Sequence, residues 1–426
     1  MKKVIIISYF FPPCNLTASN RSYGWALNLY KFGYYPIFIT RNWDIEINSL
    51  KDISKKSGEK VKIIKKEKFE VHYLPYEQNL RDRLIQKKLF IYIPIVKLLT
   101  FTELIFQNFT ISAIVHKNIY FYTCHFLSLN KDISKMIITA NPFNLFYFGY
   151  KLNKKHKIKW IADYRDDWTT SDLKENNKSI IFRLIKKLER KSEKKWVKSS
   201  SLIMSVSDHY QKKISFLVGV KGKELINGYN KLENNSFKLE NKTEFQITYN
   251  GTLYDSQKIE IFIFAIIDLI KSNKKIKIYF PGLAYTKTQE KRIRNLIKGY
   301  ESYFIILKRI SKPKVISIQK QSHLLLMVGH EKIKGIPSSK IYEYISLQKP
   351  ILLVNPDGDI LEKTVKKCGF GYIANSKKEI FKIIEKMYIK FERKEQILNR
   401  NKKTNISLFS REKSTKLLSS YLDELN

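Results

Sequence analysis

Residues 1–40 read MKKVIIISYFFPPCNLTASNRSYGWALNLYKFGYYPIFIT. Val4 to Ser8 is a short, β-branched apolar run, the pattern of a strand buried on both faces. A Pro-containing loop follows, then Thr17 to Phe32 sets Trp25, Leu29 and Phe32 at helical spacing, with Gly33 where a helix would stop. Pro36 to Thr40 supplies a second apolar run. Strand, helix and strand in this order make a βαβ unit, which requires a parallel sheet covered by helices. Met1-Lys2-Lys3 and the run behind it briefly resemble a signal peptide, but Pro12-Pro13 interrupt any apolar core, and a buried first strand is the reading. The longest uncharged stretch, Val4 to Asn20, contains those prolines and falls short of the ~20 apolar residues of a membrane span. No transmembrane helix is expected.

The same alternation extends outward. Met136–Ala140, Lys159–Asp163 and Leu202–Val206 read as buried strands, with helical patterns over 144–152, 180–197 and 208–217. A polar, charged stretch near 232–243 looks like a linker. Beyond it, strands are predicted at Phe245–Tyr249, Lys275–Phe280, Tyr303–Leu307, Leu324–Val328 and Pro350–Val354. Helices fall at Ile259–Ile270, Gln289–Lys298, from Lys340, from Gly358 to Gly369, and at Lys413–Leu425. The expected architecture is α/β, with two doubly wound Rossmann-like domains facing a cleft: 1–230, a linker at 231–244, and 245–400. A helical tail, 401–426, is expected to pack back toward the first domain.

A chain of 426 residues suits two or three domains at roughly 150 residues each, two fitting best. Its 43% hydrophobic and 13% aromatic content rules out disorder as the main state. The net charge of +40 favours polyanionic partners: nucleic acid, anionic lipid or phosphorylated small molecules. The three cysteines, Cys14, Cys124 and Cys368, offer neither a disulfide framework nor a C-x-x-C pair, so a reducing cytoplasm is expected. Residues Asp82 to Tyr122 interleave aromatic and aliphatic residues with Lys87, Lys88, Lys97 and Lys117. They read either as ordinary amphipathic helices or as a helix lying on a membrane surface.

In open parallel sheets, ligands bind beyond the carboxyl ends of the strands, where helix amino termini offer N–H groups and partial positive charge to a diphosphate. A nucleotide-linked ligand is therefore the first hypothesis. Gly335 to Leu352, GIPSSKIYEYISLQKPIL, couples a tight loop to a short helix and then to a buried strand. Ser338 and Ser339 are N-cap candidates whose N–H groups could meet phosphate oxygens. Glu343, one turn into the helix, could accept hydrogen bonds from ribose hydroxyls or simply be a surface glutamate.

This segment resembles the donor-binding element of GT-B glycosyltransferases of the family 4 type. Other stretches are similar to that family in the same order: Lys3–Pro13 (KVIIISYFFPP), Trp160–Trp168 (WIADYRDDW), Ile226–Tyr229 (INGY), Ile247–Leu253 (ITYNGTL) and Ser322–Val328 (SHLLLMV). The family's E-x7-E pair would place its first carboxylate at Gly335, so only Glu343 remains, and Cys14-Asn15-Leu16 replaces the usual glycine pair of the first loop.

The resemblance implies transfer of a sugar from a nucleotide-sugar donor to a glycan or polyprenyl-diphosphate-linked acceptor in bacterial surface polysaccharide synthesis, with retention and without metal or cofactor. It implies that Asn250, Gly251 and Thr252, with Arg309-Ile310, Ser338, Ser339, Lys340 and Glu343, hold the donor. Lys258 would be the phosphate lysine, with Lys340 a second candidate cation. Asp163, Arg165 and Asp166 would face the cleft and position the acceptor or touch the donor phosphate; a cap on a following helix is the structural alternative for Asp166 or Asp167. Reversible attachment to the anionic inner face of the cell membrane would use the positive charge and the 82–122 segment.

Three more patterns are accounted for by local structure. Asp357-Gly358-Asp359 has metal-site spacing but suits a turn and N-cap. Gly369 to Ala374 matches G-x-G-x-x-A yet follows a helix and precedes a strand, the reverse of the dinucleotide context. His323 and His330 flank a strand without metal-ligand spacing and read as core or loop residues. Two further function classes stay open: a basic nucleic-acid-binding protein, for which no module is visible and none is expected as partner, and a GT-B-shaped epimerase or inactive homologue.

Overall fold

A computed structural model describes residues 1–47, 49–87, 89–171, 180–230, 243–330, 333–336, 338–397 and 406–425. The linker expected at 231–244 lies almost wholly outside them. The chain divides into two compact units, Met1–Asn227 with the C-terminal segment from Arg411, and Gly228–Ser410.

The first unit is built on eight strands: β1 (Lys2–Ser8), β2 (Tyr34–Arg41), β3 (Lys62–Lys65), β4 (Glu70–Leu74), β5 (Lys135–Ala140), β6 (Lys159–Tyr164), β7 (Leu202–Ser205) and β8 (Gly222–Glu224). Their order is β3-β4-β2-β1-β5-β6-β7-β8, parallel except for β3 against β4. β1 lies between β2 and β5, with Ile5 opposite both Ile37 and Met136. That central place explains its uninterrupted apolar run, since Val4 to Ile7 are wholly buried. The first crossover is an α-helix, Ser19–Asn28, tightened into a 3-10 turn, Leu29–Phe32. It stops at Gly33, whose φ of 82° lies in the left-handed region.

The second unit holds β9 (Phe245–Thr248), β10 (Ile276–Pro281), β11 (Phe304–Leu307), β12 (Leu324–Val328), β13 (Ile351–Val354) and β14 (Gly371–Ala374). All are parallel, in the order β11-β10-β9-β12-β13-β14. Renumbered within the unit this is 3-2-1-4-5-6, the doubly wound order, whose direction of winding reverses between β9 and β12. The same six-strand order runs from β4 to β7 in the first unit, extended by β3 and β8. β14 itself occupies Gly371–Ala374, so the G-x-G-x-x-A match runs into an edge strand.

The boundary between the units falls at Asn227/Gly228. Tyr229 donates its N–H to the Phe409 carbonyl within the second unit, at 2.9 Å. The C-terminal helix, Arg411–Asp423, belongs to the first unit, where Leu418, Tyr421, Leu422 and Leu425 join the core of Val4, Ile6, Trp25 and Phe38. Polar contacts hold its end: Tyr34 Oη donates to Asp423 at 2.8 Å and Tyr421 Oη to the Glu224 carbonyl at 2.9 Å.

Candidate functional site

The winding reversal in the second unit places two loops side by side at the carboxyl ends of β9 and β12, where a doubly wound sheet takes its ligand. The loop after β9 begins Tyr249-Asn250-Gly251-Thr252. Its Gly251 has φ 95°, and an added Cβ would stand 2.9 Å from Cε and 3.1 Å from Nζ of Lys340. Gly282, after β10, has φ 88° and lies so near that its Cβ would meet Gly251 Cα at 3.2 Å. Backbone bonds fix this edge: Gly251 N–H donates to the Pro281 carbonyl at 2.7 Å, and Gly282 N–H to the Leu307 carbonyl at 3.1 Å.

Lys340 comes from the helix Ser339–Leu347, which precedes β13. Its ammonium donates to Tyr249 Oη at 3.0 Å and to the Thr252 carbonyl at 3.3 Å, lying over the glycine loop. Burial lowers its pKa to about 8, opposed by the carboxylate of Glu343. Glu343, on the same helix, is partly buried. The next residue, Tyr344, accepts the Asn250 N–H on its hydroxyl at 3.0 Å, tying helix to loop. Ser338 occupies the N-cap with its hydroxyl not engaged in capping, and Ser339 is the first helical residue.

On the β12 side, His330 Nδ1 is 2.7 Å from Ser256 Oγ, a bond that spans the winding reversal. Burial first, then the Lys340 charge, lower its pKa, while Asp357 opposes. Gln257 donates to the Val328 carbonyl at 2.6 Å and accepts the Tyr254 N–H at 3.1 Å. Asp357 accepts backbone N–H groups of Asp359, Leu361 and Glu362, so it caps the helix Ile360–Lys367. Asp359 accepts the Gly335 N–H at 3.0 Å and pairs with Lys363 at 2.9 Å.

The structure thus brings Asn250, Gly251, Thr252, Lys340 and Glu343 together. Lys258 is exposed ahead of the helix Glu260–Lys271, its carbonyl bonded by the Asn355 side chain. Arg309 and Ile310 follow β11, two strands from β9, with Arg309 exposed. Tyr249, Tyr344, His330 and Ser256 also stand in this cluster, and sequence reasoning does not single them out as site residues. The tyrosines carry a signal, because a buried phenol needs a hydrogen-bond partner.

In the first unit, one expectation needs correction. Asp163 does not face solvent: it is wholly buried near the end of β6, and both its oxygens are taken by Arg21, at 2.7 and 3.0 Å. Arg21 also donates to the Leu225 carbonyl and to Asn227. A buried carboxylate requires such a counter-charge, and the helix Ser19–Asn28 delivers it. Arg165 and Asp166 pair with each other just beyond the strand, where Asp166 is exposed and Arg165 partly so.

No protein-family model and no curated protein matches this sequence. Solved structures match it in fold. Sucrose-phosphate synthase from Thermosynechococcus elongatus aligns over 100% of this chain and 99% of its own, with a TM-score of 0.59 at 12% identity. HepE from Anabaena in complex with UDP-glucose aligns over 99% of each chain, with a TM-score of 0.57 at 12% identity. The catalytic domain of starch synthase IV from Arabidopsis thaliana, bound to ADP and acarbose, aligns over 99% of this chain and 98% of its own, with a TM-score of 0.59 at 9% identity. The chain has the GT-B fold. In a GT-B chain the cluster around Lys340 lies in the second of two Rossmann-like units, and at these identities its chemistry rests on its own residues.

Proposed function

We propose that the protein is a glycosyltransferase that moves a sugar from a nucleotide-sugar donor, held by the second unit, to a glycan or polyprenyl-diphosphate-linked acceptor of bacterial surface polysaccharide synthesis, with retention. The observation that carries this reading is the Lys340 ammonium, fixed over Gly251 by Tyr249 and the Thr252 carbonyl. In the transfer, the bond from the anomeric carbon to the donor phosphate oxygen breaks, and the nucleoside diphosphate leaves with the electron pair. The acceptor hydroxyl oxygen forms the new bond and passes its proton to the departing diphosphate. Negative charge grows on the diphosphate, so a fixed cation and preorganised N–H groups there stabilise the transition state. Lys340 and the first turn behind Ser338 supply both, in place of a metal. Glu343 accepts the ribose hydroxyls, and Arg309-Ile310 borders the base. Lys258 adds charge from the exposed side. Arg165 and Asp166 serve the acceptor, whereas Asp163 acts through the fold. The UDP-glucose and ADP in the Anabaena and Arabidopsis structures support a nucleoside-diphosphate ligand for this fold.

Screening nucleotide sugars by thermal stabilisation, then assaying release of nucleoside diphosphate with and without glycan acceptors, tests the reading. Transfer requires release that depends on the acceptor. Acceptor-independent conversion of the donor sugar would make the protein an epimerase, and salt-sensitive duplex binding tighter than donor binding would make it a nucleic-acid binder.

Lys340 keeps its proton at neutral pH and loses it as pH rises through about 8. Donor affinity should therefore fall above that pH, and donor binding near it should take up a proton, as titration calorimetry in buffers of different ionisation enthalpy measures. An affinity that stays flat into the alkaline range would remove Lys340 from the phosphate site. Gly251→Ala should destabilise the second unit by about 1–3 kcal/mol, because alanine must hold φ 95°. The new methyl also displaces the lysine tip, so donor affinity should drop as well. Wild-type affinity in this variant would show that the lysine's position over the loop is immaterial.

A further inference from the structure

One helix of the first unit is not explained by the core it stands on. Ile93–Phe106, IPIVKLLTFTELIF, carries two charged residues, Lys97 and Glu103, and none of its side chains is buried. Immediately before it, Phe90 and Ile91 are 87% and 76% exposed, and Leu98 on the helix is 62% exposed. The helix contacts Ile180–Val197, and at the start of that helix Ile180, Ile181 and Leu184 are exposed as well. Large apolar side chains exposed together along one helix and the turn before it mark an interaction site.

The charges are sorted around it. The acidic Glu103 is neutralised, held by Arg81 at 2.5 Å and by Asn79. Basic groups remain outward: Lys87, Lys97, Arg183 and Lys187 are all exposed. Lys87 lies over the Tyr92 ring at 5.5 Å, at the edge of the apolar cluster. An apolar centre with a basic rim narrows the occupant. A second copy would bring the same rim and the same charge of +40 into contact with itself. A nucleic acid would pair with the lysines and leave Phe90, Ile91 and Leu98 without reward. An anionic lipid surface satisfies both, because aliphatic and aromatic groups enter the headgroup boundary while lysine and arginine meet lipid phosphates. At 14 residues and ~1.5 Å per residue the helix is about 21 Å long, less than the ~30 Å hydrocarbon core. A helix of that length suits the interface plane, and no described helix is long and apolar enough to cross a membrane.

We infer that the face formed by 90–106 and the first turn of Ile180–Val197 docks the protein on an anionic membrane. This inference rests on surface chemistry and stands independently of the donor site.

Vesicle flotation with the full-length protein tests it, using phosphatidylcholine alone and phosphatidylcholine mixed with phosphatidylglycerol. Binding is expected to the mixed vesicles at low salt, to weaken at high salt and to be slight without phosphatidylglycerol. Changing Phe90, Ile91 and Leu98 together to serine should reduce it by at least about tenfold. Changing Lys87, Lys97, Arg183 and Lys187 to glutamine should cost on the order of a hundredfold or more. A bimane label on Phe90→Cys, with the three native cysteines buried, should be quenched by brominated lipid, a readout that spares the rest of the chain. Three results would overturn the inference: indifference to the mixed vesicles at low salt, an unquenched label on vesicle-bound protein, or a dimer in free solution that the triple serine variant makes monomeric.

Discussion

Asp163→Ala is expected to destabilise the first unit by about 3–5 kcal/mol, because it strands the buried Arg21 guanidinium without its counter-charge. Both side chains are almost wholly buried, at 3% and 0% exposure, and are joined at 2.7 and 3.0 Å. Arg21 further ties the helix Ser19–Asn28 to the Leu225 carbonyl and Asn227, so losing its anchor loosens the end of the unit. The readout is clean, since all five tryptophans lie between Trp25 and Trp196 and report on this unit alone. Denaturant unfolding followed by their fluorescence gives the cost directly. Replacing both partners, Arg21→Met with Asp163→Leu, should recover much of the loss, because an apolar pair needs no desolvation of charge. A small stability change in Asp163→Ala together with collapsed transfer activity would instead give Asp163 a part in the chemistry.

Lys340→Met and Glu343→Ala should each weaken donor binding by about 1.5–3 kcal/mol, the value of a hydrogen bond to a charged group. That corresponds to roughly ten- to 150-fold in Kd. Little change in fold is expected from either. The two losses should not add, since Glu343 supports the charge on Lys340. Removing the carboxylate also moves the lysine's titration downward, so the alkaline fall in donor affinity should begin at lower pH in Glu343→Ala than in wild type. Titration calorimetry across pH separates this from a purely structural effect. Unchanged donor affinity in Glu343→Ala would take the residue out of the site.

The sequence is most legible where strands are buried on both faces. β1 and β2 stand out as continuous apolar runs, and their predicted limits differ from the observed ones by two residues at most. β4 escapes because two of its five buried side chains break the apolar run: Glu70 and His72 are joined at 2.7 Å, with His72 also bonded to Tyr122. Hydropathy cannot reveal a polar pair that satisfies itself inside a sheet. β8 escapes for a different reason, being three partly exposed residues at an edge. In the site, the local pieces are readable, namely the glycine turn after β9 and the short helix before β13. Their meeting is not. Lys340 and Tyr249 are 91 positions apart, and only the winding of the sheet makes them neighbours. The Arg21–Asp163 pair spans 142 positions, so a strand-end aspartate reads as an exposed acid until its counter-ion is known.

The helix Arg411–Asp423 closes the same unit that β1 opens, so the chain leaves that body once and returns to it once. Topologically, the second unit is a guest inserted within its host. A single protease nick at either crossing cannot release it; excision takes two cuts. A stop codon ahead of Arg411 would leave the guest's own sequence entire yet strip Leu418, Tyr421 and Leu422 from the host's core. Truncation at the C-terminal end would therefore damage the unit built from the N-terminal half of the sequence.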